Sequence, residues 1–267
     1  MGPPVLAMIL VLVCNLIADS AWSFEFELKL TYQVQWGNVK IAEAEAEWVF
    51  EEDSYVMSGA SQTIGIADKM RNFRGTSSVS GSTANGIFQP LALKITSISN
   101  KQKKQAETSW SPTNGAIKTT RNPKIDGEKV FPLRQNSISG SIDPFSALLN
   151  TIDTIRQTGR CEGKYRVYDG LRTAILTFHD LGEQNLIKDR PSAFSGSTIK
   201  CGVVSKSTGG HRINNRWRKK NREKDDIVMF ISEVKPAVFI PVRIEVATPV
   251  GKIISRLHMP SLIITGR

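Results

Sequence analysis

Histidine and cysteine are scarce, with three of each in 267 residues, and that scarcity excludes most site chemistries at the outset. A zinc centre or a histidine-based triad would have to be assembled from His179, His211 and His258, which are isolated from one another in the sequence. No G-x-S-x-G, H-E-x-x-H, C-x-x-C or glycine-rich phosphate loop is present, so the chain is expected to be non-enzymatic and to need no cofactor or metal. Beyond residue 17 no apolar run approaches the roughly 18 residues that a membrane-spanning helix requires, and a soluble body is expected. Acidic charge is the minority sign: 35 Lys and Arg against 25 Asp and Glu leave a formal charge of +10.

The first residues are of a different character. An apolar block from Val5 to Ile17 ends in the small-residue stretch Ala18-Asp19-Ser20-Ala21. This is the pattern of a cleaved secretory signal over residues 1–21, with the cut after Ser20, Ala21 or Ser23, although no Lys or Arg precedes the block. Cys14 sits inside the block behind Val13, where a lipidation signal would need a small residue. Export to the periplasm is therefore expected. There the positive charge favours lipid headgroups, lipopolysaccharide or acidic glycans, and nucleic acid is not an expected partner. Once Cys14 leaves, Cys161 and Cys201 are an even pair in an oxidising compartment, which favours one disulfide.

From Phe24 to Trp36 apolar and polar residues alternate, with Leu30, Tyr32, Val34 and Trp36 on the dry face of a long strand. Gly37-Asn38 supplies a hairpin turn, and alternation resumes through Ala42, Ala44, Ala46, Trp48 and Phe50 against Glu43, Glu45 and Glu47. The three glutamates share one face, as any solvated strand face would produce. The alanines on the other face leave room for close packing or for a cavity, and packing is the reading preferred. Further short strands are expected at 55–61, 73–82, 91–100, 105–110 and 116–119, then at 164–168, 172–178, 197–204, 227–231, 239–246 and 252–258. Pro241 marks an edge strand or a bulge. His179-Asp180 reads as a solvated loop at a strand end.

One helix stands out. Asp143 can cap it, Pro144 suits its first turn, Gly159 ends it, and Phe145, Leu148, Leu149, Ile152 and Ile155 fall on one stripe. Residues 205–226 crowd Lys206, Arg212, Arg216, Trp217, Arg218, Lys219, Lys220 and Arg222 among Gly, Asn and Ser, the pattern of an exposed basic loop suited to an anionic surface. The expected fold is mainly β: a single domain over 22–267, a curved antiparallel sheet or open, spiral β-barrel, with one principal helix at about 143–157 on its concave face.

Several short motifs combine: Tyr32-Gln33-Val34-Gln35-Trp36-Gly37, Asp143-Pro144-Phe145-Ser146-Ala147-Leu148-Leu149, Val167-Tyr168-Asp169-Gly170-Leu171-Arg172, Cys201, and Pro241-Val242-Arg243-Ile244 with Gly251. Together they resemble a proteobacterial family of periplasmic proteins known only as a domain of unknown function. The resemblance implies a β-rich chain similar in organisation to open barrels that carry lipoproteins or bind hydrophobic ligands. Three functions are carried forward. The preferred one is binding of an apolar ligand, lipidated partner or envelope protein, with Leu30, Tyr32, Val34, Trp36, Trp48, Phe145, Leu148, Leu149 and Ile152 facing it. The second is docking on anionic envelope material through the basic loop, and the third is hydrolysis of an envelope polymer.

Overall fold

In the computed structural model, residues 25–84, 86–124, 130–213, 227–249 and 251–266 are described. The expected signal lies outside them. The alternating segment forms β1 (Phe26–Trp36), and Gly37, at φ +60°, turns it into β2 (Val39–Phe50). Their antiparallel ladder runs from Phe26 opposite Phe50 to Trp36 opposite Val39, with a bulge between Val34 and Gln35. The meander continues through β3 (Ser54–Thr63), the short helix α1 (Gly65–Met70), β4 (Phe73–Ala84), β5 (Ile87–Ser99), β6 (Gln102–Trp110) and β7 (Ile117–Asn122). A helical turn, α2 (Gln135–Ile138), and the long helix α3 (Pro144–Thr158) follow.

A second meander comprises β8 (Gly163–Tyr168), β9 (Thr173–Leu186), β10 (Gly196–Gly209), β11 (Ile227–Lys235), β12 (Val238–Thr248) and β13 (Gly251–Leu257), and the short β14 (Ile263–Gly266) ends the sheet elements. β13 pairs with the second half of β1 and β14 with its first half, which fuses the two meanders into a 14-stranded antiparallel sheet. Its outer strands are β7 and β8, and no ladder joins them. The expected open, curved sheet is therefore what forms.

The two edges nevertheless approach one another. Arg121 of β7 donates to the Gly170 carbonyl and to the Tyr168 hydroxyl at the β8–β9 turn. Gly170 sits so close to β6 that a Cβ there would lie 2.9 Å from both Ala106 and Thr108. Trp110 Nε1 donates to the Ser141 carbonyl at 2.8 Å, and Ile142 forms a parallel bridge with Val167. Side chains and the segment before α3 thus draw together edges that backbone pairing leaves apart.

Within this curl α3 is capped as its sequence dictates. Asp143 accepts from the amides of Phe145 and Ser146 at 2.7 and 3.2 Å, and Gly159 ends the helix in the left-handed region at φ +71°. Its burial departs from the expected stripe: Leu149, Ile152 and Ile155 are buried, Phe145 and Leu148 only half-buried, and Ser146, Thr151 and Asp153 are buried as well. The cause is the curvature of the sheet, since α3 meets β5, β8 and β12 and so is walled on several sides. An aromatic cluster lies at the same end, with ring centroids 4.6 Å apart for Phe26 and Phe50 and 5.4 Å for Tyr55 and Phe88.

Other boundaries also move. β10 continues to Gly209, so Lys206 stands on a strand opposite Ile175, and Arg212 bridges to Val130; the basic loop begins later than residue 205. β9 extends to Leu186, which puts His179 and Asp180 inside a strand where a loop was expected. Both strands outrun their apolar cores because pairing with each other supports polar residues. Pro241 lies on an interior strand and resolves as a bulge, with the register shifting where Ile231 faces it. The buried Tyr32 hydroxyl donates to its carbonyl at 2.7 Å.

On the outer face the 187–195 segment is clamped by Asp189, which accepts from Arg256 Nε at 3.0 Å and Arg243 Nη1 at 3.2 Å, while Arg256 Nη1 also reaches Gln35 at 2.9 Å. The hydrogen bond from Arg256 holds the Asp189 carboxyl below the usual carboxylate range, against the opposing effect of partial burial. Cys161 and Cys201 form a fully buried disulfide, Cα atoms 5.6 Å apart, that ties the exit of α3 to β10.

Two outcomes are expected. Replacing both cysteines by serine removes a cross-link spanning 40 residues and should lower unfolding free energy by about 4 kcal/mol in urea titration, less any native strain. Asp189→Asn should cost about 1 kcal/mol at pH 7, a figure reduced for solvent screening because the carboxylate is one-third exposed. Because its folded pKa is depressed, this contribution is complete above the unfolded value of about 4 and disappears as pH falls through the lower folded value, so wild type and variant should converge in acid.

Candidate functional site

Register and the period of two place Leu30, Tyr32 and Val34 of β1 on the concave face, opposite Ala46, Ala44 and Ala42 of β2. The row continues to Gly59 and Ser61 on β3 and to Ser77 and Gly75 on β4. Burial changes along it. Phe26, Leu28 and Leu30 are buried, Val34 is half-buried, and Trp36 at the strand end is 46% exposed. The same gradient runs down the other wall: beyond the bulge, Val242 of β12 is buried, whereas Ile244 and Val246 are half-buried.

The gradient follows from where α3 sits. At its start a buried hydrogen-bonded chain runs from Tyr55 on β3, whose hydroxyl is 2.6 Å from Ser146 Oγ, to the Asp143 carboxylate, which accepts from Ser146 Oγ. Along its length Asn150 exchanges two hydrogen bonds with the Phe88 backbone, at 2.9 and 3.0 Å. These anchors hold the helix toward the end where β2 passes into β3 and β4 into β5. Burial drives the Asp143 carboxyl upward, against the hydrogen bonds of Ser146 and the backbone amides, and drives the Tyr55 phenol upward too. The far end of the concave face, nearer the β1–β2 turn, is lined by half-exposed aliphatic and small side chains.

The residues expected to face a ligand divide accordingly. Leu30, Tyr32, Trp48, Leu149 and Ile152 belong to the filled core; Val34, Phe145 and Leu148 are half-buried; Trp36 stands at the rim. The half-exposed positions Gly59, Ser61, Gly75, Ser77 and Ile95 were not among them. Their signal was present as small residues two apart in consecutive strands, the same spacing as the alanines of β2.

A second depression, an open groove of about 730 Å³, is lined by β1 to β4 and the turn at 260–263, including Leu30, Thr31, Glu45, Ala60, Thr76 and Pro260. Of the charged groups that line it, Lys29 contacts Glu47 at 3.4 Å, and it also contacts Glu27 at 2.9 Å. His258 Nδ1 lies 2.8 Å from Ser261 Oγ. Among the described residues no three His, Cys, Asp or Glu side chains are grouped to hold a metal ion. Of the expected anionic-surface contacts, Lys206 and Arg212 are exposed, while Arg216, Trp217, Arg218, Lys219, Lys220 and Arg222 lie outside the described residues.

The polar anchor of α3 is open to test. Tyr55→Phe removes the hydroxyl that hydrogen-bonds the buried Ser146 Oγ and should cost about 1–3 kcal/mol in chemical unfolding. Gly81→Ala should destabilise by a comparable or larger amount, because its methyl group would overlap the Tyr55 ring.

Among curated proteins none matches the chain. A solved structure, described as a β-barrel-like protein of domain of unknown function DUF1849 from Brucella abortus, is similar at 8% identity and a TM-score of 0.47, over 91% of this chain and 98% of that one. A family described as a protein of unknown function, DUF3108, matches residues 31–257, from within β1 to the end of β13 and including α3. The chain belongs to the DUF3108 family of proteins of unknown function.

Proposed function

We propose that this is a non-enzymatic, exported protein of the cell envelope that holds an apolar chain, from a lipid or a lipid-modified partner, against the open half of its concave face. The observation that carries this reading is the burial gradient. A curled sheet wider than about eight strands can enclose more space than its own side chains fill, and the anchors of α3 lie toward one end of this one. The remaining wall is aliphatic or small, with Val34, Ala44, Ile95, Ile244 and Val246 half-exposed on the inward face. Apolar surface of this kind, held concave by a rigid ladder, favours a flexible hydrocarbon over a polar substrate. The disulfide and the signal-like composition of residues 1–21 support placement in an oxidising compartment outside the cytoplasm.

The test is occupancy of that wall. Purified protein should bind the neutral probe N-phenyl-1-naphthylamine saturably, and a free fatty acid should displace it. Ala44→Trp, which fills the space opposite Tyr32, should weaken probe binding at least tenfold, by the order expected when a pocket is blocked, without lowering the melting temperature. Wild-type protein that takes up no probe saturably, and yields no lipid on solvent extraction, rules the reading out.

A further inference from the structure

Antiparallel topology places the β1–β2 turn, the β3–α1–β4 connection and the β5–β6 turn at one end of the sheet, the end that α3 leaves open. Hydrogen bonds join them into one corner. The Ile64 amide donates to the Ile41 carbonyl at 3.0 Å, the Asn100 amide to the Asn72 carbonyl at 2.9 Å, and Arg71 Nε to Ser99 Oγ at 3.1 Å.

This corner exposes large apolar side chains. Met70 is 80% exposed, Ile66 59% and Val39 51%, and Trp36 lies beside them on the rim. Ile66 and Met70 are four residues apart on α1 and therefore share a face. The other side of α1 is fixed to the sheet: Asp68 accepts from Thr63 at 2.9 Å and from Arg74 at 2.7 Å. The outward direction of Ile66 and Met70 is thus imposed by the anchoring of Asp68.

Charge at the corner has one net sign. The acidic groups Asp68 and Glu43 are neutralised by Arg74 and Lys40, each at 2.7 Å. Lys69, Lys101 and Lys103 are exposed and make no ion pair with the described residues. Protruding aliphatic groups ringed by lysine match the layered chemistry of an anionic bilayer, where hydrocarbon lies just beneath phosphate. A protein partner would have to cover a small convex corner, which offers little area for a stable interface.

We propose that this corner docks on an anionic phospholipid bilayer, Ile66 and Met70 entering the interface while Lys69, Lys101 and Lys103 meet the phosphates, so that the open end of the concave face is presented to lipid. This deepens the ligand-holding reading and rests on it, but the two can fail separately.

The experiment uses the chain from residue 22 onward, which contains every described residue, with vesicles of phosphatidylethanolamine and phosphatidylglycerol or of phosphatidylcholine alone. Flotation should recover wild type with the anionic vesicles, less so as salt rises, and not with phosphatidylcholine. Ile66→Ser with Met70→Ser should weaken partitioning about tenfold, and Lys101→Glu with Lys103→Glu about as much. Both pairs should leave melting temperature and probe binding in solution unchanged; if the α1 pair fails to fold, the exposed lysine pair, Lys101 in the β5–β6 turn and Lys103 at the start of β6, decides alone. Variants that float like wild type, or wild type that ignores anionic vesicles, overturn the docking proposal. Probe uptake by such a protein leaves the ligand reading standing, whereas vesicle docking without probe uptake removes the ligand reading and leaves the docking surface.

Discussion

A sheet this wide has to be filled, and α3 fills one end of it. About eight strands can close around their own side chains, whereas a longer curl encloses space that needs a plug, a ligand or water. Here 14 strands curl around one 15-residue helix. Everything else in the core is arranged about its placement. The polar chain from Tyr55 through Ser146 to Asp143 sets its start, the Asn150 contacts with the Phe88 backbone set its height, and the Cys161–Cys201 bridge holds its exit. Ion-free hydrogen bonding at the buried Tyr55 and Ser146, with the single carboxylate of Asp143 spent on capping, avoids leaving a bare charge in the interior.

Because the helix is anchored toward one end, the other end keeps an inward wall of short and aliphatic side chains that are only half-buried. That asymmetry links packing to the proposed role. A stiff ladder keeps the wall concave, and small residues on β2, β3 and β4 keep it from filling itself. Outside, the wall is stabilised by independent means: the Asp189 clamp on Arg243 and Arg256 pins the 187–195 segment across β12 and β13. The rim at the open end combines protruding apolar groups with lysines, so the surface that reaches solvent there differs from the paired, polar outer face of β1 and β2.

Much of this was legible from the chain. The alternation of β1 and β2 dictates a half-buried hairpin whatever surrounds it, since a strand's two faces are decided residue by residue. Asp143, Pro144 and Gly159 mark the limits of α3 through backbone hydrogen bonding that is local in sequence. Cys161 and Cys201, the two cysteines beyond the apolar N-terminal block, form the expected pair. Where local rules fell short, the cause was a partner distant in sequence. Polar residues at 179–186 and 205–209 are strand because β9 and β10 pair with each other, and Ser146 and Asp153 are buried because the sheet wraps the helix.

The sequence by itself therefore determined most of the strands, their order, the caps of α3 and the dry face of the sheet, because each rests on periodicity or on groups a few residues apart; α2 and β14, too short to carry a periodic signal, are exceptions. Only the tertiary structure decided how the two edges of the open sheet approach one another and which half of the dry face is filled. Arg121 meets Gly170 across 49 positions, Tyr55 meets Ser146 across 91, and Tyr32 meets Pro241 across 209. Contacts at such separations have no periodic trace, yet they place the helix at one end of the curl and leave Val34, Ala44 and Ile244 half-exposed at the other.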